Sequence, residues 1–89
     1  MEKEIGRVVD YFARIGVVAI ELEDELCVGD TIRIKGHTTD FTQRVDSMQI
    51  EHSPVERAGR GETVGIKVKE RVRAHDRVYK ITGQDDQDT

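Results

Sequence analysis

Tryptophan is absent, the aromatics amount to two Phe and two Tyr, and proline and cysteine occur once each. So few large rings leave Val and Ile to build the interior, and these β-branched residues suit pleated strands better than helices. One cysteine, Cys27, excludes an internal disulfide. No apolar run approaches the ~20 residues a membrane-spanning helix needs. The charged start Met1-Glu2-Lys3-Glu4 has no apolar stretch after it, so no signal peptide is expected. These absences point to a cytoplasmic protein with no membrane contact.

What is present fits one small domain. A chain of 89 residues buries only roughly 60–65% of its unfolded surface, which limits the size of its core. The expected division is one β domain over residues 1–83 and a disordered acidic tail over 84–89. Val17–Glu23 and Thr31–Lys35 alternate apolar and polar residues, the period of a half-buried strand. Ile5–Ala13 mixes apolar residues on both faces and should pair with Val17–Glu23 as a hairpin. Between Phe41 and Ile50 the alternation changes phase, which predicts a β-bulge near Asp46-Ser47. Ser53-Pro54-Val55-Glu56 has helix-start chemistry, with Ser as cap and Pro at the first helical position. Gly59 follows within a few residues, so about one turn of helix is expected there. Val64, Ile66 and Val68 then share one face of a further strand.

A short echo stands out. Leu26-Cys27-Val28-Gly29-Asp30-Thr31-Ile32 is matched by Val72-Arg73-Ala74-His75-Asp76-Arg77-Val78. His75 takes the place of Gly29, and histidine tolerates a left-handed backbone better than most residues do. Six or so short strands, one bulge and no long helix describe an all-β fold. The expected architecture is a small closed six-stranded antiparallel barrel, which leaves no sheet edge exposed.

Catalytic and metal chemistry find little footing. His37, His52 and His75 are far apart in sequence and stand at no metal-ligand spacing to one another or to Cys27. No Gly is followed by Lys, so the phosphate-binding loop G-x-x-x-x-G-K-[ST] is missing. Gly59-Arg60-Gly61 precedes a strand, and no helix N-terminus follows to hold a phosphate. Neither metal, cofactor nor independent GTP binding is expected, and no enzyme activity.

Charge is unevenly divided. Residues 1–56 carry 6 Lys/Arg against 12 Asp/Glu, whereas residues 57–80 carry 8 against 3. Lys67, Lys69, Arg71 and Arg73 recur at every second position, which in an extended segment places all four on one side. Arg57 and Arg60 extend that series into the preceding loop. Such a stripe can follow a nucleic-acid backbone, and it equally serves as the charged guard of an edge strand.

Several motifs, taken in order, resemble a known family: Gly6-Arg7-Val8, Val28-Gly29-Asp30-Thr31-Ile32, Val45-Asp46-Ser47-Met48 and Ala58-Gly59-Arg60-Gly61-Glu62-Thr63-Val64-Gly65. The likeness is to the second, β-barrel domain of translational GTPases such as elongation factor Tu, over Ile5 to Ile81. It implies a translation-associated, non-catalytic binding module that meets tRNA or ribosomal RNA through Arg57, Arg60, Lys67, Lys69, Arg71 and Arg73. The alternative is a protein-interaction adaptor barrel that docks on a larger complex. A homodimer is compatible with either.

Overall fold

In a computed structural model, which describes residues 1–82, those residues form ten β-segments and no helix. They are β1 (Glu2–Phe12), β2 (Val17–Leu22), β3 (Leu26–Cys27), β4 (Thr31–Lys35), β5 (Asp40–Arg44), β6 (Met48–Ile50), β7 (Ser53–Val55), β8 (Arg57–Ala58), β9 (Thr63–Lys67) and β10 (Arg77–Ile81). The expected tail, 84–89, lies outside the described residues.

Alternation does the work the sequence suggests. Val18, Ile20 and Leu22 of β2, Ile32 and Ile34 of β4, and Val64 and Ile66 of β9 are all buried and share one core. β1 and β2 form the expected hairpin, closed by a turn in which Gly16 takes a positive φ of 67°. The mixed faces of β1 have a local cause. Its register shifts between Glu4 and Gly6 against β10, and again between Val8 and Asp10 against β2. Each irregularity changes which parity faces inward, so Ile5 and Val8 are both buried.

The strands do not close a barrel. Eight of them form one antiparallel sheet in the order β5-β4-β10-β1-β2-β9-β6-β7, which leaves β5 and β7 as edges. β3 and β8 pair separately. The expected closed six-stranded barrel is therefore corrected to an open sheet folded over a single core. Side-chain chemistry bridges part of the opening. The Gln43 amide on β5 donates to the Lys67 carbonyl and accepts from the Lys69 N–H, each at 2.9 Å. An amide carries one donor group and one acceptor group, so here it substitutes for a missing strand-to-strand rung.

Two further expectations change. Asp46-Ser47 is no bulge within one strand. β5 ends at Arg44, and after three residues the chain begins β6, which pairs with β9 and β7 on the other side of the sheet. The phase change marks a strand that switches partners, with Val45 and Met48 both buried. Ser53-Pro54-Val55 is an edge strand where a helical turn was expected, because Ile50 pairs with Ser53 and draws the segment into a hairpin. Proline is tolerated there, since an edge position has no ladder bond to lose.

The echoed segments form matching turns. The Asp30 carboxylate accepts the Cys27 N–H at 2.9 Å, and Asp76 accepts the Arg73 N–H at the same distance. Gly29 and His75 hold the left-handed position, at φ 99° and 76°. Each turn then grips one buried valine by two backbone hydrogen bonds. Gly29 donates to Val45, which donates to Asp30; His75 donates to Val8, which donates to Asp76. Leu26 and Val72 enter the core from these turns.

Candidate functional site

Sequence reasoning gathers six basic residues on one face, and the structure disperses them. β9 ends at Lys67, and residues 68–76 are irregular, so no continuous strand carries the alternation. Val68 and Val72 are buried while Lys69, Arg71 and Arg73 stay exposed. Lys67 and Lys69 line a groove with Gln43 and Arg44. Arg71 and Arg73 line a different one beside Asp10 and Tyr11. Arg57 lies across from Cys27 on β8, its guanidinium 3.7 Å from Glu25. Arg60 is exposed in the turn before β9.

A continuous hollow lies elsewhere, on the outer face of β2, β9 and β6. Two connected depressions of about 320 and 300 Å³ share Ile15, Val17, Gln49 and Gly65. The β1–β2 hairpin supplies one wall. Its tip leaves Phe12 47% and Ile15 58% exposed, high values for such large apolar side chains. Gly65 forms the floor. A Cβ there would lie 3.2 Å from Gln49 Cγ, 3.3 Å from its Nε2 and 3.4 Å from Val17 Cγ1, so the Gln49 side chain lies close over a position where a larger residue would push it away. The Gln49 amide makes no protein hydrogen bond among the described residues.

The other wall is the β6–β7 hairpin, whose two-residue tip is Glu51-His52. Both take positive φ, 49° and 69°. This turn geometry suits the right-handed twist of the strands, but it normally recruits Asn and Gly. Two side-chain-bearing residues there store backbone strain, which is found disproportionately at binding sites. Lys67 and Glu51 bring one charge of each sign to the hollow.

A third depression, about 540 Å³, adjoins the first at Ser47, Met48 and Pro54 and reaches Cys27. Cys27 is a half-buried free thiol. No group of three or more His, Cys, Asp and Glu is placed to share a metal ion among the described residues. Among them, too, no helix is long and apolar enough to cross a membrane.

The charged groups with altered acidity lie on the outside of the sheet. Arg33 on β4 makes two parallel hydrogen bonds to Asp40, at 2.7 and 2.8 Å, and a third to Glu2 at 2.8 Å. This fork lowers the Asp40 pKa and raises that of Arg33, through the hydrogen bonds first and charge attraction second. Asp24 is likewise lowered, by its hydrogen bond from Lys3 and then by that from the Glu25 N–H. These pairs tie β4 to β5 and to β1, and β1 to the segment after β2, and none of their residues lines the hollow.

The hollow was legible in part. Val17 and Ala19 are apolar at the outward positions of β2, so that strand is apolar on both faces. The inward set Val18, Ile20 and Leu22 drew attention away from them.

Comparison with known proteins redirects the functional reading. No family model matches the chain. It is 51% identical over 79 residues to an uncharacterized protease of Methanocaldococcus jannaschii, covering 88% of this chain and 19% of the relative. It is 40% identical over 79 residues to a collagenase of Porphyromonas gingivalis, covering 86% of this chain and 22% of the relative. The chain thus spans about one-fifth of the length of the curated relatives it matches. Its fold is that of the C-terminal domain of a Geobacillus thermoleovorans protein named as a U32 peptidase. The TM-score is 0.83 at 21% identity, with 88% of this chain and 91% of the other covered. A selenomethionine form of that domain gives 0.81 at 20% identity, covering 85% and 96%.

These findings overturn the translational GTPase resemblance, the RNA-binding module and the expectation of no enzyme activity, and they lend the adaptor alternative no specific support. Short glycine turns and V-G-D corners are general β-turn chemistry, and their order alone does not separate one small β domain from another. The similarity that spans the chain is to proteins named as protease and collagenase, and to a U32 peptidase C-terminal domain.

Proposed function

We propose that this chain serves peptide-bond hydrolysis of the U32 type, in the place held by the C-terminal domain of such peptidases, and that its sheet handles the polypeptide being cut. The observation that carries this reading is the 51% identity over 79 residues to a protease. A match of the same length, at 40% identity, is to a collagenase. The exposed apolar wall of Phe12 and Ile15 adds support, because small soluble domains seldom leave such surface open without use.

A domain exchange tests it. The matching 79-residue segment of the Porphyromonas gingivalis collagenase is replaced by this chain, and gelatin cleavage is compared with the parent and with a form lacking the segment. The exchanged protein should retain most of the parent's cleavage rate, and the shortened form should lose it. An exchanged protein that folds but cleaves no faster than the shortened form would overturn the reading.

A further inference from the structure

The hollow between the β1–β2 and β6–β7 hairpins has a chemistry that narrows what can occupy it. Its floor is the amide of Gln49, lying over Gly65. That amide offers donors and an acceptor and finds no protein partner among the described residues. Its wall is apolar, formed by the exposed Phe12 and Ile15 and by Val17. Lys67 lines one of the two depressions and Glu51, beside His52, the other, so the hollow as a whole carries one charge of each sign. A phosphate or an acidic segment would meet Glu51 as well as the lone Lys67, and a strongly basic one would meet Lys67 as well as the lone Glu51. A peptide backbone meets all of these conditions: it is uncharged, it pairs a donor with an acceptor, and it alternates polar links with side chains that an apolar wall can cover.

We propose that this hollow is a binding site for an extended, uncharged polypeptide segment. Gln49 pairs with one of its peptide groups, and one apolar side chain lies against Phe12 and Ile15. Gly65 acts through Gln49: without a side chain of its own it lets the Gln49 amide lie low over β9, beside Val17, where a bound backbone can reach it. The strained tip Glu51-His52 sets the height of the opposite wall. The proposal rests on the proteolytic reading above and assigns the contact to a definite place.

Titration of the isotope-labelled 89-residue chain with a synthetic uncharged octapeptide containing Leu, Pro and Gly, followed by NMR, tests the site without any cleavage step. The amides of Val17, Gln49 and Gly65 should shift together and saturate. Gln49→Ala and Phe12→Ser alter exposed or half-exposed positions, so both should fold, as judged by their unperturbed spectra elsewhere. Each should weaken binding roughly five- to tenfold, the equivalent of one hydrogen bond or a partly covered aromatic side chain. Gly65→Val should abolish it. The site is overturned if no shifts occur, if they centre on other residues, if both variants bind like the parent, or if octa-aspartate or octa-lysine binds more tightly. Gelatin cleavage by the exchanged collagenase stands or falls separately, so loss of this site and loss of the proteolytic reading are distinguishable.

Discussion

Asp76 sits directly over Gly36, so close that a Cβ on Gly36 would collide with its carboxylate. Asp76 is itself almost fully buried, and its carboxylate is held by the Arg73 N–H. The end of β4 and the turn before β10 can approach only because one has no side chain and the other fixes its own. Gly36→Ala should therefore cost about 1–3 kcal/mol, the usual range for overpacking. Asp76→Ala should cost a similar amount by leaving the Arg73 N–H without its acceptor. In the double variant the two losses should fall clearly short of additive, because the collision is gone. Urea denaturation of the four proteins measures this; strict additivity would refute the contact.

Gln43 offers a second test, since it spans an opening that no strand covers. Gln43→Leu keeps the size of the side chain but leaves the Lys67 carbonyl and the Lys69 N–H unpaired. A loss of about 1–2 kcal/mol is expected for two partly exposed hydrogen bonds. For a domain of this size that is a fall in Tm of roughly 4–16 °C. Gln43→Glu keeps the acceptor and loses the donor, and should lie between the parent and Gln43→Leu. Calorimetry would read both.

The hairpin tip should be improvable. Replacing Glu51-His52 by Asn-Gly supplies residues that accept positive φ at both positions. A gain of about 1 kcal/mol is expected, the scale of left-handed strain relieved in a side-chain-bearing residue. If the tip also shapes the hollow, the stabilised variant should bind the octapeptide less well. Denaturation and titration on the same sample would separate the two effects.

Acid should loosen the outer face of the sheet. Asp24 and Asp40 have pKa values lowered in the folded state by Lys3 and Arg33. The unfolded chain thus binds protons first as pH falls. The stabilisation is complete above the ordinary aspartate value, about 3.9, and is lost as pH drops through the lower folded values. Arg33, raised by the same pairing, stays charged throughout this range. Tm should be flat with respect to these groups near neutrality and fall below about pH 4. Asp40→Asn should shallow that fall, and an unchanged slope in that variant would deny the Arg33–Asp40 fork its part.

Strand positions were readable where side chains alternate cleanly. Val18, Ile20 and Leu22, then Ile32 and Ile34, then Val64 and Ile66 fall inward as period two requires. The turn echo was readable too, because Asp30 and Asp76 make their hydrogen bonds within three residues and need nothing from the rest of the chain. Where the outcome depended on distant partners, local chemistry misled. Ser53-Pro54 carries a helix-start signature, but pairing with Ile50 and Gln49 overrode it. The basic alternation from Lys67 to Arg73 suggested one strand, yet the ladder to β2 stops at Lys67.

The sequence by itself determined an all-β chain, the composition of its core and its two aspartate-capped turns, since each follows from side-chain period or from contacts a few residues long. Tertiary structure decided that the sheet stays open, that the basic residues scatter, and that Phe12, Ile15, Gln49 and Gly65 meet around one hollow. Those residues come from three segments of the chain, the β1–β2 hairpin tip, β6 and β9, and only strand pairing brings the three together. Periodicity shows which face a residue takes, but it carries no information about which strand lies next to it.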